Sequence, residues 1–137
     1  MQRLALLTSA VALATAMPAM AQTTFDRIAT FATPDNMTAG EDRSRPTSAE
    51  IISASEDGNT LVYSDSPLGV LGFLDITDPA APLPLGTVPM DGEPTTAVII
   101  GDRVYVGVDT STSFTEPSGQ LRVLDLKTRA VLALSLI

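Results

Sequence analysis

The chain of 137 residues contains no cysteine, no histidine and no tryptophan, and it carries only eight basic side chains against sixteen acidic ones. Without cysteine it has neither disulfides nor thiolate metal sites. Without histidine it has no Ser-His-Asp or Cys-His catalytic unit of its own, and no imidazole ligand for zinc. Metals content with oxygen ligands remain, chiefly calcium or magnesium. A net charge of −8 argues against a nucleic-acid partner, because phosphate binding needs Lys and Arg to displace counterions. Apolar runs are short: the longest, Leu4 to Ala16, is broken only by Thr and Ser and falls below the ~20 residues that cross a bilayer.

That run has a setting. Met1-Gln2-Arg3 is a short basic start, and Pro18 then Ala19-Met20-Ala21 follow the apolar stretch. Basic start, apolar centre and small-x-small end form the layout of a secretory signal peptide over residues 1–21; an uncleaved anchor is the alternative. Cleavage before Gln22 removes one base and no acid. No lipobox cysteine follows, so the expected location is the periplasm or the medium, with no stable membrane insertion after cleavage. An exported chain without cysteine relies on packing or metal ions.

The rest reads as strands and turns. The apolar runs are Glu50 to Ile52, Thr60 to Tyr63, Val70 to Ile76, Leu83 to Val88, Thr95 to Ile100, Arg103 to Val108, Leu121 to Leu126 and Ala130 to Ile137. Between them stand Asp57-Gly58-Asn59, Ser66-Pro67-Leu68-Gly69, Asp78-Pro79, Asp91-Gly92 and Gly101-Asp102. Gly permits positive φ, Asp and Asn bond to the turn backbone, and Pro fixes φ. No segment keeps a 3.6-residue apolar period, so the expected class is all-β. Several runs are apolar at consecutive positions, which suits strands buried on both faces. Residues 22–48 differ: Phe25 to Phe31 is expected as one strand, and Thr33 to Arg45 as an exposed polar loop.

An internal repeat suggests the architecture. Pro46 to Ile52 matches Pro94 to Ile100 at an offset of 48. Gly58-Asn59 with Leu61-Val62-Tyr63 matches Gly101-Asp102 with Val104-Tyr105-Val106. Pro67, Gly69, Leu71, Leu74, Asp75 and Ile76 match Pro117, Gly119, Leu121, Leu124, Asp125 and Leu126. Three blocks in one order give two copies of four strands, about 49–88 and 95–137. That is the length of a four-stranded β-propeller blade; a β-sandwich with accidental similarity is the alternative. The Asp of Leu74-Asp75-Ile76 and of Leu124-Asp125-Leu126 is expected to open the turn into the outer strand.

The mature region resembles the start of bacterial exported propellers of the phytase-like and YVTN or LVIVD repeat type, some of which are alkaline phosphatases or esterase-like phytases. The resemblance rests on Arg45 to Ile52, Asp57 to Asp65, Gly72 to Pro79 and Gly92 to Thr95. It implies an incomplete propeller, because such families carry many blades and two cannot close a ring. Its partners would be the remaining blades. An N-terminal fragment or truncated product is the expectation, with two apolar blade faces left open.

In a propeller, the loop leading into the innermost strand and the loop between the second and third strands share one rim. The repeat therefore places Arg45, Glu50, Asp65, Glu93, Asp109 and Glu116 together. Glu50, Asp65, Glu93 and Asp109 are candidate calcium ligands, and Arg45 is a candidate clamp for a phosphate oxygen. Such a set suits metal-assisted phosphoester hydrolysis. The competing readings are an Asp65 that only shapes its loop, a solvated Glu93, and an Arg45–Glu93 ion pair. Glu50 stands out because its counterpart in this alignment, Val98, is apolar. Asp57-Gly58-Asn59 lacks the spaced ligands of a calcium loop and reads as a hairpin turn. Ser64, Ser66 and Thr110 to Thr115 supply hydroxyls without a base to activate them. The functional expectation is a fragment, itself inactive, of an exported phosphoester hydrolase; a non-catalytic propeller for a protein, glycan or cell-surface partner is the alternative.

Overall fold

The computed structural model describes residues 25–136. The expected signal peptide, 1–21, and Gln22 to Thr24 lie outside them. The described chain is all-β, with a single 3₁₀ turn at Thr33–Asn36. Its strands are β1 (Ile52–Ala54), β2 (Thr60–Asp65), β3 (Val70–Asp75), β4 (Leu83–Pro89), β5 (Glu93–Ile100), β6 (Arg103–Asp109), β7 (Gly119–Asp125) and β8 (Val131–Leu136). They form two antiparallel sheets in sequence order, β1-β2-β3-β4 and β5-β6-β7-β8. All eight expected runs are strands, displaced by a few residues at their ends.

The repeat is present in the ladders. Tyr63 stands opposite Gly72 and Ser64 opposite Leu71; their counterparts Val106 and Gly107 stand opposite Arg122 and Leu121. The third strand of each sheet meets the fourth through the same register shift, at Phe73/Leu74 and at Val123/Leu124. The first sequence block is out of step, however. Ile52 pairs with Tyr63, whereas Ala97, not Ile100, pairs with Val106. The turn Ser55–Asn59 is three residues longer than Gly101–Asp102, so β1 aligns with β5 three residues away from the sequence match. By this register Glu50 corresponds to Thr95, and the contrast with Val98 disappears.

The sheets stack face to face. Val62, Leu71 and Phe73 of the first sheet share one buried cluster with Ala97, Ile99, Val104, Val106 and Leu124 of the second. Burial of such side chains is worth roughly 1.5–3 kcal/mol each. Polar contacts fix the stacking. The Ile99 N–H, on the side of β5 that has no strand neighbour, donates to Ser53 Oγ at 3.0 Å. Arg129 Nη1 reaches the Leu85 carbonyl, at the outer strand. β2 and β3 are buried on both faces as expected, whereas β5 to β7 alternate and β8 is exposed throughout.

The other face of the first sheet is covered by the segment expected as an exposed loop. Asn36 is 1% and Met37 5% exposed. Pro34 starts the short 3₁₀ turn that brings them in. Asn36 Nδ2 donates to Tyr63 Oη at 3.0 Å and lies 3.2 Å from the carbonyls of Phe73 and Gly86. Its Oδ1 accepts from the Gly86 N–H at 2.7 Å. Asn36 thus fills the backbone groups that the β3–β4 register shift leaves unpaired, where Gly86 holds φ of +91°. Met37 packs with Leu68 and Val70. One of the two blade faces expected to stand open is therefore largely closed by a strap from the chain's own N-terminal part. The strand expected over Phe25 to Phe31 is not formed: these residues have no ladder partner, and Phe25 and Ile28 are exposed.

The aspartates at turns behave as expected. Asp75 accepts from the Thr77 N–H at 2.9 Å, and Asp125 from those of Lys127 and Thr128 at 3.1 and 2.7 Å. Asp57 closes the first hairpin through Ser55 Oγ and the Asn59 N–H. These bonds favour the charged form, so the three carboxyls titrate below their usual value. A carboxyl lowered by folding stabilises fully above its unfolded pKa and loses that contribution as pH falls through the folded one. The melting temperature is thus expected to be level above about pH 5 and to fall below about pH 4. A level melting temperature down to about pH 2.5 would contradict this role for the turn aspartates.

Candidate functional site

The rim is formed by the loops at the Asp65 and Asp109 ends of the sheets. β2 and β3 end there at the pair Asp65–Val70, and β5, β6 and β7 at Glu93, Asp109 and Gly119, which stand opposite one another in turn. The two rims are continuous: the Ser66 hydroxyl lies 2.5 Å from Glu50 Oε2 and 2.9 Å from the carbonyl of Pro94 in the neighbouring sheet.

The six expected residues have different surroundings. Asp65 is fully buried. Its Oδ1 accepts from the N–H groups of Ser48 and Leu68, both at 3.1 Å, and its Oδ2 from the Thr47 hydroxyl. Both oxygens are used in tying the segment before β1 to the β2–β3 turn, which is the loop-shaping reading. Replacing Asp65 with alanine strands the buried Leu68 N–H, worth roughly 1–3 kcal/mol, and removes the half-buried bonds to Ser48 and Thr47. A loss of about 3 kcal/mol in urea melts is expected, and a loss under about 1 kcal/mol would refute this role.

Glu50 is exposed and bonded to Ser66. Glu93 and Asp109 are exposed and directly opposed across β5 and β6. Asp109 accepts from the Ser111 N–H at 2.7 Å, and its bonds with Ser111 hold its carboxyl below the usual value. Glu116 takes the Thr112 hydroxyl at 3.0 Å within the β6–β7 loop. Arg45 is exposed, and its N–H bonds to the Asp42 carbonyl at 3.1 Å. Ion pairs among the described residues join Arg43 to Asp35, Arg103 to Asp102 and Arg122 to Asp91; the Arg45–Glu93 pair is not among them.

Among the described residues, no three carboxylates gather closely enough to hold a metal ion. Glu93 and Asp109 are the two best-placed oxygen donors, and calcium takes six to eight oxygens. These two residues line a cleft of about 460 Å³ with Ser111, Thr112, Ser113, Phe114 and Pro117. Phe114, at the tip of the β6–β7 loop, is fully exposed. The corresponding loop of the first sheet, Ser66–Gly69, is much shorter, so this cleft belongs to the second repeat alone.

Three residues that matter to the site were not evident from the sequence. Thr47 and Ser48 complete the partners of Asp65. Arg122, only 7% exposed, lies between the sheets and bonds Asp91 at 3.1 Å and Gln120 at 3.2 Å. The available signal was a lone basic residue inside an apolar strand, which needs a partner once buried; here the partner Asp91 is itself exposed. No helix among the described residues is long and apolar enough to cross a membrane. Compared with known proteins, the chain matches no family model and no curated protein.

Proposed function

We propose that this chain forms two consecutive blades of an exported β-propeller and works as scaffold, its rim loops contributing part of a ligand site that further blades complete. One observation carries the reading: the two sheets share strand order, second-to-third-strand register and the position of the register shift in the outer pair. A sandwich assembled by chance has no reason to repeat an irregularity. Within this reading, Glu93 and Asp109, opposed across β5 and β6, are the carboxylates offered to calcium, with the other oxygens supplied by loops of further blades. Arg45, on the same side, is offered to phosphate. The parent is then a metal-dependent phosphoester hydrolase of the phytase-like or alkaline-phosphatase-like kind. With no histidine in the sequence to activate its hydroxyls, the chain by itself is read as non-catalytic.

The test compares this chain with the parent protein, each with calcium, on phytate and on a simple aryl phosphate. Calcium-dependent phosphate release by the parent alone is expected. Release by neither removes the hydrolase reading and leaves a binding propeller. N-terminal sequencing of the periplasmic product, expected to begin at Gln22, tests export separately.

A further inference from the structure

The ladder registers map each residue of the first sheet onto the second. On the first sheet, the face turned away from its neighbour carries Leu61, Tyr63 and Leu74. Their counterparts in the second sheet are Val104, Val106 and Leu124. Those three are fully buried, in the cluster shared with the first sheet. The strap therefore lies on the first sheet where the first sheet lies on the second. Its 3₁₀ turn packs on β3 and β4, Asn36 enters the register shift of that pair, and Met37 joins Leu68 and Val70. Its far end is pinned at the rim, where Thr47 and Ser48 bond to Asp65. Between the two anchors, Thr38 to Pro46 is exposed and braced by its own bonds. The Thr38 N–H donates to Glu41 at 2.6 Å, the Ser44 N–H to Asp42 at 2.9 Å, and Arg43 pairs with Asp35 at 2.9 Å. The strap thus turns an amide and an apolar side chain inward, and Glu41, Asp42 and Arg43 outward.

We infer that residues 33–48 are an N-terminal cap: the strap takes the seat of a preceding sheet and keeps the first sheet folded and its apolar face covered without one. Stacked repeats leave an apolar face at each end, and a terminal element keeps such an end soluble when it is apolar inside and polar outside. The strap has that division. It also makes no ladder with the sheet, so a side chain must hold it there. The Asn36 amide does so by serving Tyr63, Phe73 and Gly86. The charged residues that the sequence groups at Glu41 to Arg43 are then the outer surface of the cap. The cap is partial. Ile52, at the β1 side of the same face, is 61% exposed, whereas its counterpart Ala97 is 4% exposed beneath the first sheet. The strap seals the side of β3 and β4 and leaves the β1 edge open.

The proposal rests on the repeat in the ladders, and neither the propeller identity nor any activity enters it. The experiment supplies the strap in trans. Asn36→Leu loosens the chain's own strap, and a synthetic peptide of residues 30–48, at about 1 mM, competes for the seat. The Asn36→Leu chain is expected to bind at least ~3-fold more of an apolar fluorescent dye than the native chain. The native-sequence peptide is expected to reverse that increase and to raise the melting temperature by about 5 °C. The same peptide carrying Asn36→Leu is expected to do neither. If the Asn36→Leu chain does not fold, Met37→Ser keeps the amide bonds, loosens the apolar contact and takes the same two peptides. Arg43→Ser, on the outer surface, is expected to shift the melting temperature by less than ~2 °C and to leave dye binding unchanged. Dye binding no greater in the loosened chain, two peptides of equal effect, stabilisation by neither, or a larger loss from Arg43→Ser than from Asn36→Leu would each overturn the proposal.

Discussion

Replacing Asn36 with leucine is expected to lower the melting temperature by about 10–20 °C. The side chain is almost completely buried, and its amide serves Tyr63 Oη, the Phe73 carbonyl and both backbone groups of Gly86. Leucine matches its size but leaves all of those groups without a partner. Each buried orphan costs roughly 1–3 kcal/mol, and the groups are coupled, so the total is on the order of 3–5 kcal/mol. Asn36→Asp does not rescue the loss, because it removes the donor and turns a charged oxygen toward two carbonyls. A shift of less than about 3 °C for both variants would show that the strap does not anchor the first sheet.

The second large effect is expected at Gly72. This residue stands opposite Tyr63, and a methyl group on it would lie inside the Tyr63 ring. Gly72→Ala therefore displaces the ring, and with it the hydrogen bond to Asn36. A cost of about 3 kcal/mol is expected, at the upper end of overpacking effects. The two substitutions act on one contact, so they are not additive. In the Asn36→Leu background, Gly72→Ala is expected to cost at least ~1 kcal/mol less. Full additivity in urea melts would separate the strap from the ring and contradict this packing. Burial also pushes the Tyr63 phenol above its usual pKa, so the hydroxyl stays neutral and available to Asn36 across the ordinary pH range.

The strands were legible because each is a short apolar run bounded by residues with a turn mechanism. Val70 to Asp75 ends at an aspartate that bonds the following turn, and nothing in that sequence competes with a strand. The repeat was legible for the same reason, in the two central strands of each sheet. It failed in the first strand, where Pro46 to Ile52 and Pro94 to Ile100 match in letters but not in ladder. Residue identity there reflects local chemistry, whereas register is set by turn length. The strap was not legible. Asn36 and Met37 sit in a polar stretch, and what draws Asn36 in is a register shift far along the chain, beside the Phe73–Gly86 pair. At the rim the sequence placed Asp65, Glu93 and Asp109 at one end of the sheets but could not tell their surroundings apart. Asp65 and Asp109 look alike in the chain. One is buried under three donors; the other opposes Glu93 at the surface.

The account depends on the first sheet stacking on the second with their innermost strands side by side, and one amide reports this directly. The Ile99 N–H points to the side of β5 that has no strand partner, and Ser53 of the first sheet is its acceptor. Hydrogen exchange at Ile99 is predicted to be slow in the native chain. In Ser53→Ala it is predicted to quicken about tenfold or more, while the neighbouring β5–β6 ladder amides keep their protection. An Ile99 amide exchanging at the rate of an open strand edge, unaffected by Ser53, would contradict the stacked arrangement.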